Sequence, residues 1–205
     1  MAKVAIDGNI GSGKTHYLRL LEKEGFHVNH ENVKAWGSWL DKYNGDMKRY
    51  SLGFQLKILH DQANLPYKSD QVNIYERSPY TLKNVFGDML YQDKLMDEDE
   101  YKLHNDYVNR FGWRPDAIIY LYCDPSICHK RIQSRDKISG DSKISLDYLK
   151  NLHIQHELVF DSVNCDIPIY KINSQEPPET VYANIKHILS SLNRKSESKS
   201  KDNTS

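Results

Sequence analysis

Eight consecutive residues, Gly8-Asn9-Ile10-Gly11-Ser12-Gly13-Lys14-Thr15, fit the pattern G-x-x-x-x-G-K-[ST] directly after the β-type run Val4-Ala5-Ile6-Asp7. Glycines at these spacings let successive backbone N–H groups converge on phosphate oxygens, and a helix starting at Lys14 adds the partial positive charge of its N-terminus. Lys14 would reach the β- and γ-phosphates, and the Thr15 hydroxyl would ligate Mg²⁺. A bound nucleoside triphosphate follows from this pattern, whereas the phosphoryl acceptor stays open.

Two further groups stand where a parallel sheet would deliver them to the same place. Glu31 follows the β-type run 27–30, and Glu76-Arg77-Ser78 ends the run 71–75. Both fall at carboxyl ends of strands, where doubly wound sheets bind ligands. A carboxylate there can take the proton of an attacking hydroxyl, and a guanidinium suits a developing phosphoryl charge. Glu76 could complete a Mg²⁺ shell directly or through water. Taken singly, Glu31 also reads as a loop glutamate and Glu76-Arg77 as a surface ion pair. Arg131, Arg135 and Lys137 form a third cluster, spaced either for a basic lid over the phosphates, with Gly140 and residues 139–145 as its moving part, or for a solvated cationic helix face. The guanine-reading N-K-x-D and the switch motif D-x-x-G of GTPases are absent from the sequence.

The elements that must position these residues alternate between short β-type runs and longer helical periodicity. Strands are expected at 4–7, 27–30, 71–75, 117–122 and 168–172, and helices at 14–24, 47–64, 81–91, 97–111, 125–135, 145–162 and 178–192. This predicts an α/β architecture of about five parallel strands with helices on both faces. A chain of 205 residues, 39% of them hydrophobic, supports one well-buried core. Residues 1–193 are expected to form the domain. Residues 194–205 have no apolar side chain to bury and are expected to be an unstructured polar tail, with a nuclear-targeting or anionic-surface role as its alternative use. The 28 basic and 28 acidic residues cancel, which argues against duplex nucleic acid or a membrane surface as partner. Cys123, Cys128 and Cys165 are too few and too scattered for a disulfide framework, and the longest apolar runs fall far short of the roughly 18 residues of a spanning helix. A reducing interior, cytoplasmic with nucleus or mitochondrion not excluded, is expected.

Taken in order, these residues resemble the deoxynucleoside kinases, the family of deoxycytidine, deoxyguanosine and mitochondrial-type thymidine kinases. The likeness runs through residues 8–14, Glu31-Asn32-Val33-Lys34-Ala35-Trp36, Phe54-Gln55, Glu76-Arg77-Ser78-Pro79-Tyr80, then Arg131 and Arg135, and on to residues 146–157. It implies a P-loop kinase fold with a basic lid, and transfer of the γ-phosphoryl group of ATP to the 5′-hydroxyl of a deoxynucleoside in nucleotide salvage. It further implies Glu31 as general base with Arg77 beside it, Arg131 and Arg135 as lid arginines, and Lys137 where an arginine is common. Gln55 would bond the base edge, Trp36, Phe54 and Phe86 would stack on or wall the base, and Tyr43 and Asp141 would hold the sugar 3′-hydroxyl. A homodimer is also implied.

Departures from the family pattern bear on the base. Leu82 and Gln62 stand where deoxycytidine and deoxyguanosine kinases carry a base-recognising aspartate and its partnering arginine, which implies a pocket of the thymidine or broad pyrimidine kind. Asn32 and Ala35 replace a proline and an arginine beside Glu31. The alternatives are a nucleoside monophosphate kinase of the thymidylate type, which needs a further cationic contact for its acceptor phosphate, and a non-catalytic nucleotide-binding regulator.

Overall fold

A computed structural model describes residues 1–134, 144–163 and 165–202, with side chains up to residue 193. Its centre is a parallel sheet of β1 (Lys3–Asp7), β2 (His27–Asn29), β3 (Asn73–Glu76), β4 (Ala117–Tyr122) and β5 (Ile169–Asn173), ordered β2-β3-β1-β4-β5. Because β1 lies between β3 and β4, its carboxyl end opens at the point where the chain reverses direction across the sheet, the usual ligand crevice of such folds. The register sets Ile6 beside Glu76 and Asn29 beside Tyr75, so Asp7, Glu31 and Arg77 all emerge at that edge.

Both faces of the sheet are covered, which explains why its strands read as continuous apolar runs instead of alternating ones. On one face Val4, Ile6, Ile74 and Ile119 pack against α1 (Lys14–Lys23) and α9 (Pro178–Asp202) through Leu18, Leu21, Val181 and Ile185. On the other, Ala5, Ile118 and Tyr120 meet Phe160 of α8 (Leu146–Phe160). The remaining helices are α2 (Val33–Gly45), α3 (Met47–Ala63), α4 (Pro79–Thr81), α5 (Asp88–Gln92), α6 (Glu98–Phe111) and α7 (Pro125–Ser134). No helix among the described residues is long and apolar enough to cross a membrane.

The expected strands and most helices are present, and four local differences have physical causes. β3 begins at Asn73 instead of 71, because the Asn73 amide bonds Lys68 and Gln71 backbone groups and holds those residues in a turn. α2 was not expected at all: Asn32 caps it by accepting from the Ala35 N–H, and Gly37 at φ 35 bends it and breaks the periodicity. The helix expected over 81–91 is interrupted by a π-helical segment, Leu82–Gly87. There the Gln155 side chain of α8 donates to the Asn84 carbonyl at 3.0 Å, satisfying a group that the wider turn frees. The last helix runs on to Asp202, past the apolar residues, so the backbone of the tail does not start its coil at 194; lysine and glutamate are good helix formers and extend a helix already nucleated.

Candidate active site

Tight glycine geometry builds the phosphate loop. Gly8 has φ 138 and a Cβ there would lie 2.5 Å from the Leu121 carbonyl oxygen; Gly11 has φ 84 and a Cβ would lie 2.7 Å from that of Cys128. Both positions exclude a side chain. α1 starts at Lys14 without a side-chain cap, which leaves its first N–H groups for an anion. The Asn9 side chain is committed elsewhere, donating to the Leu149 carbonyl at 2.8 Å and accepting from the Ile10 N–H, so it ties the loop to α8. Lys14 donates to the carbonyls of Gly8 and Asn9 at 3.0 and 2.9 Å. Burial first, then the nearby Arg77 charge, lowers its pKa to about 8.

Around the loop stands a buried ionic cluster. Arg77 Nε lies 3.4 Å from a Glu31 oxygen, while its Nη1 lies 3.3 Å from Asp7 and donates to the Gly8 carbonyl at 3.0 Å. The backbone of Arg77 is left-handed, φ 64, an uncommon state for a side-chain-bearing residue, and its guanidinium stacks 5.0 Å from the Phe86 ring centre. Glu31 is pushed up to about 7, chiefly by burial and secondarily by Glu76, with Arg77 and Lys14 opposing. Glu76 accepts from the Thr15 hydroxyl at 2.6 Å and from the Glu31 N–H at 3.3 Å. Burial alone would raise its pKa, yet His30, Lys14 and Thr15 outweigh that and hold it low.

Beside this cluster opens a cavity of about 150 Å³, with Tyr43, Gln55, Phe86, Met89, Asp93 and Tyr148 on its wall. The side-chain carbonyl oxygen of Gln55 is buried with no partner among the described residues. Tyr43, expected at the sugar 3′-hydroxyl, and Phe86, expected beside the base, both line this cavity. Trp36, Phe54 and Leu82 do not: they are 8%, 5% and 3% exposed and form a layer behind the cavity with Ile58 and Val108. Phe54 stacks on Tyr43 at 5.0 Å, and Trp36 meets Phe54 edge-on and donates its indole N–H to Asp61. Trp36 and Phe54, expected against the base, here pack behind Tyr43. The reason is depth, since Tyr43 from α2 lies between Phe54 and the open space.

Arg131 donates to the carbonyls of Ser12 and Ser174 at 3.4 and 3.0 Å and reaches the Cys123 sulfur at 3.5 Å, which docks it against the phosphate loop. Arg135, Lys137, Gly140 and Asp141 lie outside the described residues. Sequence reasoning missed Asp7, Tyr148 and His156. Asp7 was read only as the end of a strand; Tyr148 and His156 sat inside the stretch 146–157 without a role.

A parallel sheet with a phosphate loop at its reversal point places the molecule among the P-loop kinases. Comparison narrows this class, because the sequence model of the deoxynucleoside kinase family matches residues 4–194. The chain belongs to that family and is an ATP-dependent phosphotransferase. It is 31% identical over 195 residues to a putative kinase protein of invertebrate iridescent virus 3, covering 94% of this chain and 98% of that one. A probable deoxycytidine kinase of fowlpox virus is 29% identical over 83% of this chain and 78% of its own length. Human deoxycytidine kinase is 28% identical over 93% and 92%.

Proposed function

We propose that this kinase phosphorylates the 5′-hydroxyl of a pyrimidine deoxynucleoside, thymidine foremost. The observation that carries the reading is the Arg77 guanidinium, which touches the Glu31 carboxylate on one side and the phosphate loop on the other and borders the aromatic cavity. A nucleoside whose base fills that cavity would turn its sugar toward this junction. Glu31 then accepts the proton of the attacking hydroxyl, a task matched by a carboxyl poised near neutrality. Lys14, Arg77 and Arg131 hold the phosphoryl oxygens and spread their charge. Thr15 and Glu76 present two hard oxygens 2.6 Å apart at the start of α1 and fit Mg²⁺, either directly or through water, with phosphate and water completing the shell. A Mg²⁺ bound there supplies charge neutralisation on the triphosphate.

Several observations favour a single-ring base. A cavity of about 150 Å³ takes one six-membered ring. Gln55 offers an amide with an unpartnered oxygen, which can pair with an edge bearing one donor beside one acceptor; thymine and cytosine carry such an edge, and so do the purines. Leu82, inside the apolar layer, offers no charge to the base. The named deoxycytidine kinase relatives favour deoxycytidine as the second reading. For the homodimer, Leu103, Tyr107 and Phe111 give α6 an exposed apolar stripe that a second copy could cover.

The test is an ATP-consumption panel of thymidine, deoxycytidine, deoxyuridine, the purine deoxynucleosides and thymidine monophosphate, each at several concentrations. The proposal expects thymidine to give the highest kcat/KM and the monophosphate to be inert. Turnover confined to deoxyguanosine and deoxyadenosine, or to the monophosphate, contradicts it.

A further inference from the structure

The proposed transfer leaves one buried acid without a task. Asp7 closes β1, is fully buried, and has a donor at each carboxylate oxygen. Its Oδ1 accepts from the Gly8 N–H at 2.7 Å and lies 3.3 Å from Arg77 Nη1, while its Oδ2 accepts from the Thr81 hydroxyl. His156 adds no bond: its Nε2 stands 3.5 Å from Oδ1 without a hydrogen-bond partner, and burial draws its pKa down. A buried carboxylate needs a compensating charge, and Arg77 is the cation in contact with this one.

The same contacts explain how Arg77 is held. Its backbone, at φ 64, lies in the left-handed region, which a side-chain-bearing residue keeps only where its surroundings over-determine it. Two links to β1 do so. The Arg77 N–H donates to the Ile6 carbonyl at 3.1 Å, continuing the β1–β3 pairing past Glu76, and the guanidinium returns to Asp7 and to the Gly8 carbonyl at 3.0 Å. Thr81 fastens the turn that follows Arg77 to the same carboxylate. With Nη1 committed to the end of β1, the Nε edge on the other side of the guanidinium faces Glu31 at 3.4 Å. Glu76, the third acid nearby, is engaged by the Thr15 hydroxyl and the Glu31 N–H.

We infer that Asp7 is a positioning residue of the phosphoryl transfer: it anchors Arg77 to the end of β1, so that the guanidinium spans the phosphate loop and Glu31 without collapsing onto Glu31. The inference rests on the proposed role of Glu31 as proton acceptor. A neutral side chain at position 7 frees Nη1, and Glu31, already at the Nε edge, is the anion left in contact with the guanidinium. Arg77 then moves toward Glu31, the pair closes, and the carboxylate is less available to the 5′-hydroxyl.

Asp7→Asn keeps the shape of the side chain and removes its charge. In protein labelled with ¹⁵N-arginine, the Arg77 Nε resonance is assigned by its loss in Arg77→Lys, and in Asp7→Asn it should shift as the guanidinium changes partner. An Arg77 resonance identical in wild type and Asp7→Asn overturns the anchor, whatever the enzyme phosphorylates. On the deoxynucleoside that the substrate panel identifies, Asp7→Asn should lower kcat about tenfold or more with both KM values within about twofold. Added to Arg77→Lys, it should cost little more, because Asp7 acts through the arginine. A double variant whose loss equals the product of the two single losses contradicts the role, as does a folded Asp7→Asn enzyme with wild-type kcat. Should Asp7→Asn not fold, Thr81→Val releases only the Oδ2 side. A smaller fall in kcat at constant KM, with a displaced Arg77 resonance, then supports the anchor, and wild-type values of both contradict it.

Discussion

The phosphate end and the nucleoside end of this site are built by different means. At the phosphate end, glycine conformation and strand ends fix every group: Gly8 and Gly11 exclude side chains, Lys14 is anchored on two carbonyls, and Arg77 bridges Asp7 and Glu31. At the nucleoside end, α2, the π-helical segment and α8 enclose a cavity whose wall is mostly apolar and whose amide, Gln55, has a free acceptor. At one end the charged side chains are already paired with one another and with backbone carbonyls, while the other presents an amide oxygen open to a ligand. The difference implies that changes at the phosphate end alter turnover or ATP use, whereas changes at the nucleoside end alter nucleoside affinity and selectivity.

The largest break in that pattern should come from Glu31→Gln, expected to lower kcat on the order of 10²-fold or more while the nucleoside dissociation constant shifts much less, as steady-state kinetics and direct binding would show. Gly11→Ala places a Cβ 2.7 Å from the Cys128 carbonyl at φ 84, costing about 1–3 kcal/mol of strain, and should raise the ATP KM about tenfold with nucleoside KM nearly constant. Acidity gives a third probe. With Glu31 at about 7, kcat/KM should rise between pH 6 and 8 and fall about tenfold per unit below that value. Because this folded-state value exceeds the ordinary 4.5, the folded protein binds more protons in that window, and the contribution of Glu31 to stability decreases as pH rises from 4.5 to about 7.

At the nucleoside end the expected effects are smaller and of the other kind. Gln55→Leu should weaken nucleoside binding by about 1–3 kcal/mol, seen as a KM increase of roughly tenfold with the ATP KM unchanged. Trp36→Phe removes the indole bond to Asp61 in the layer behind Tyr43, and should lower stability by about 1 kcal/mol in a denaturant titration while leaving KM within about twofold. A large KM effect from Trp36→Phe would move that residue into the cavity and blur the two-ended picture.

The same division governed what the sequence could disclose. The phosphate end depends on local spacing: Gly8 to Thr15 is contiguous, and Glu31 and Arg77 each follow a strand, so parallel pairing alone carries them to one edge. The nucleoside wall depends on depth, which composition does not encode. Trp36, Phe54 and Leu82 have the chemistry of a base pocket yet form its backing, because an intervening helix with a glycine bend brings Tyr43 forward. Nor could periodicity reveal that the turn around Asn84 is widened by a side chain from α8, about seventy residues on in the chain. His156 and Asp7 stayed hidden for a related reason: a buried contact between a strand end and a distant helix has no spacing to recognise.

The central claim is that a strand-end carboxylate and guanidinium face a phosphate loop across the space a sugar occupies. A crystal structure of the kinase with thymidine and a non-hydrolysable ATP analogue tests it most directly. It should show the base against Gln55 and Phe86 and the 5′-hydroxyl within hydrogen-bonding distance of the Glu31 carboxylate, in line with the γ-phosphate. A nucleoside bound elsewhere, or a Glu31 side chain turned away from the hydroxyl while both ligands are seated, would contradict the account.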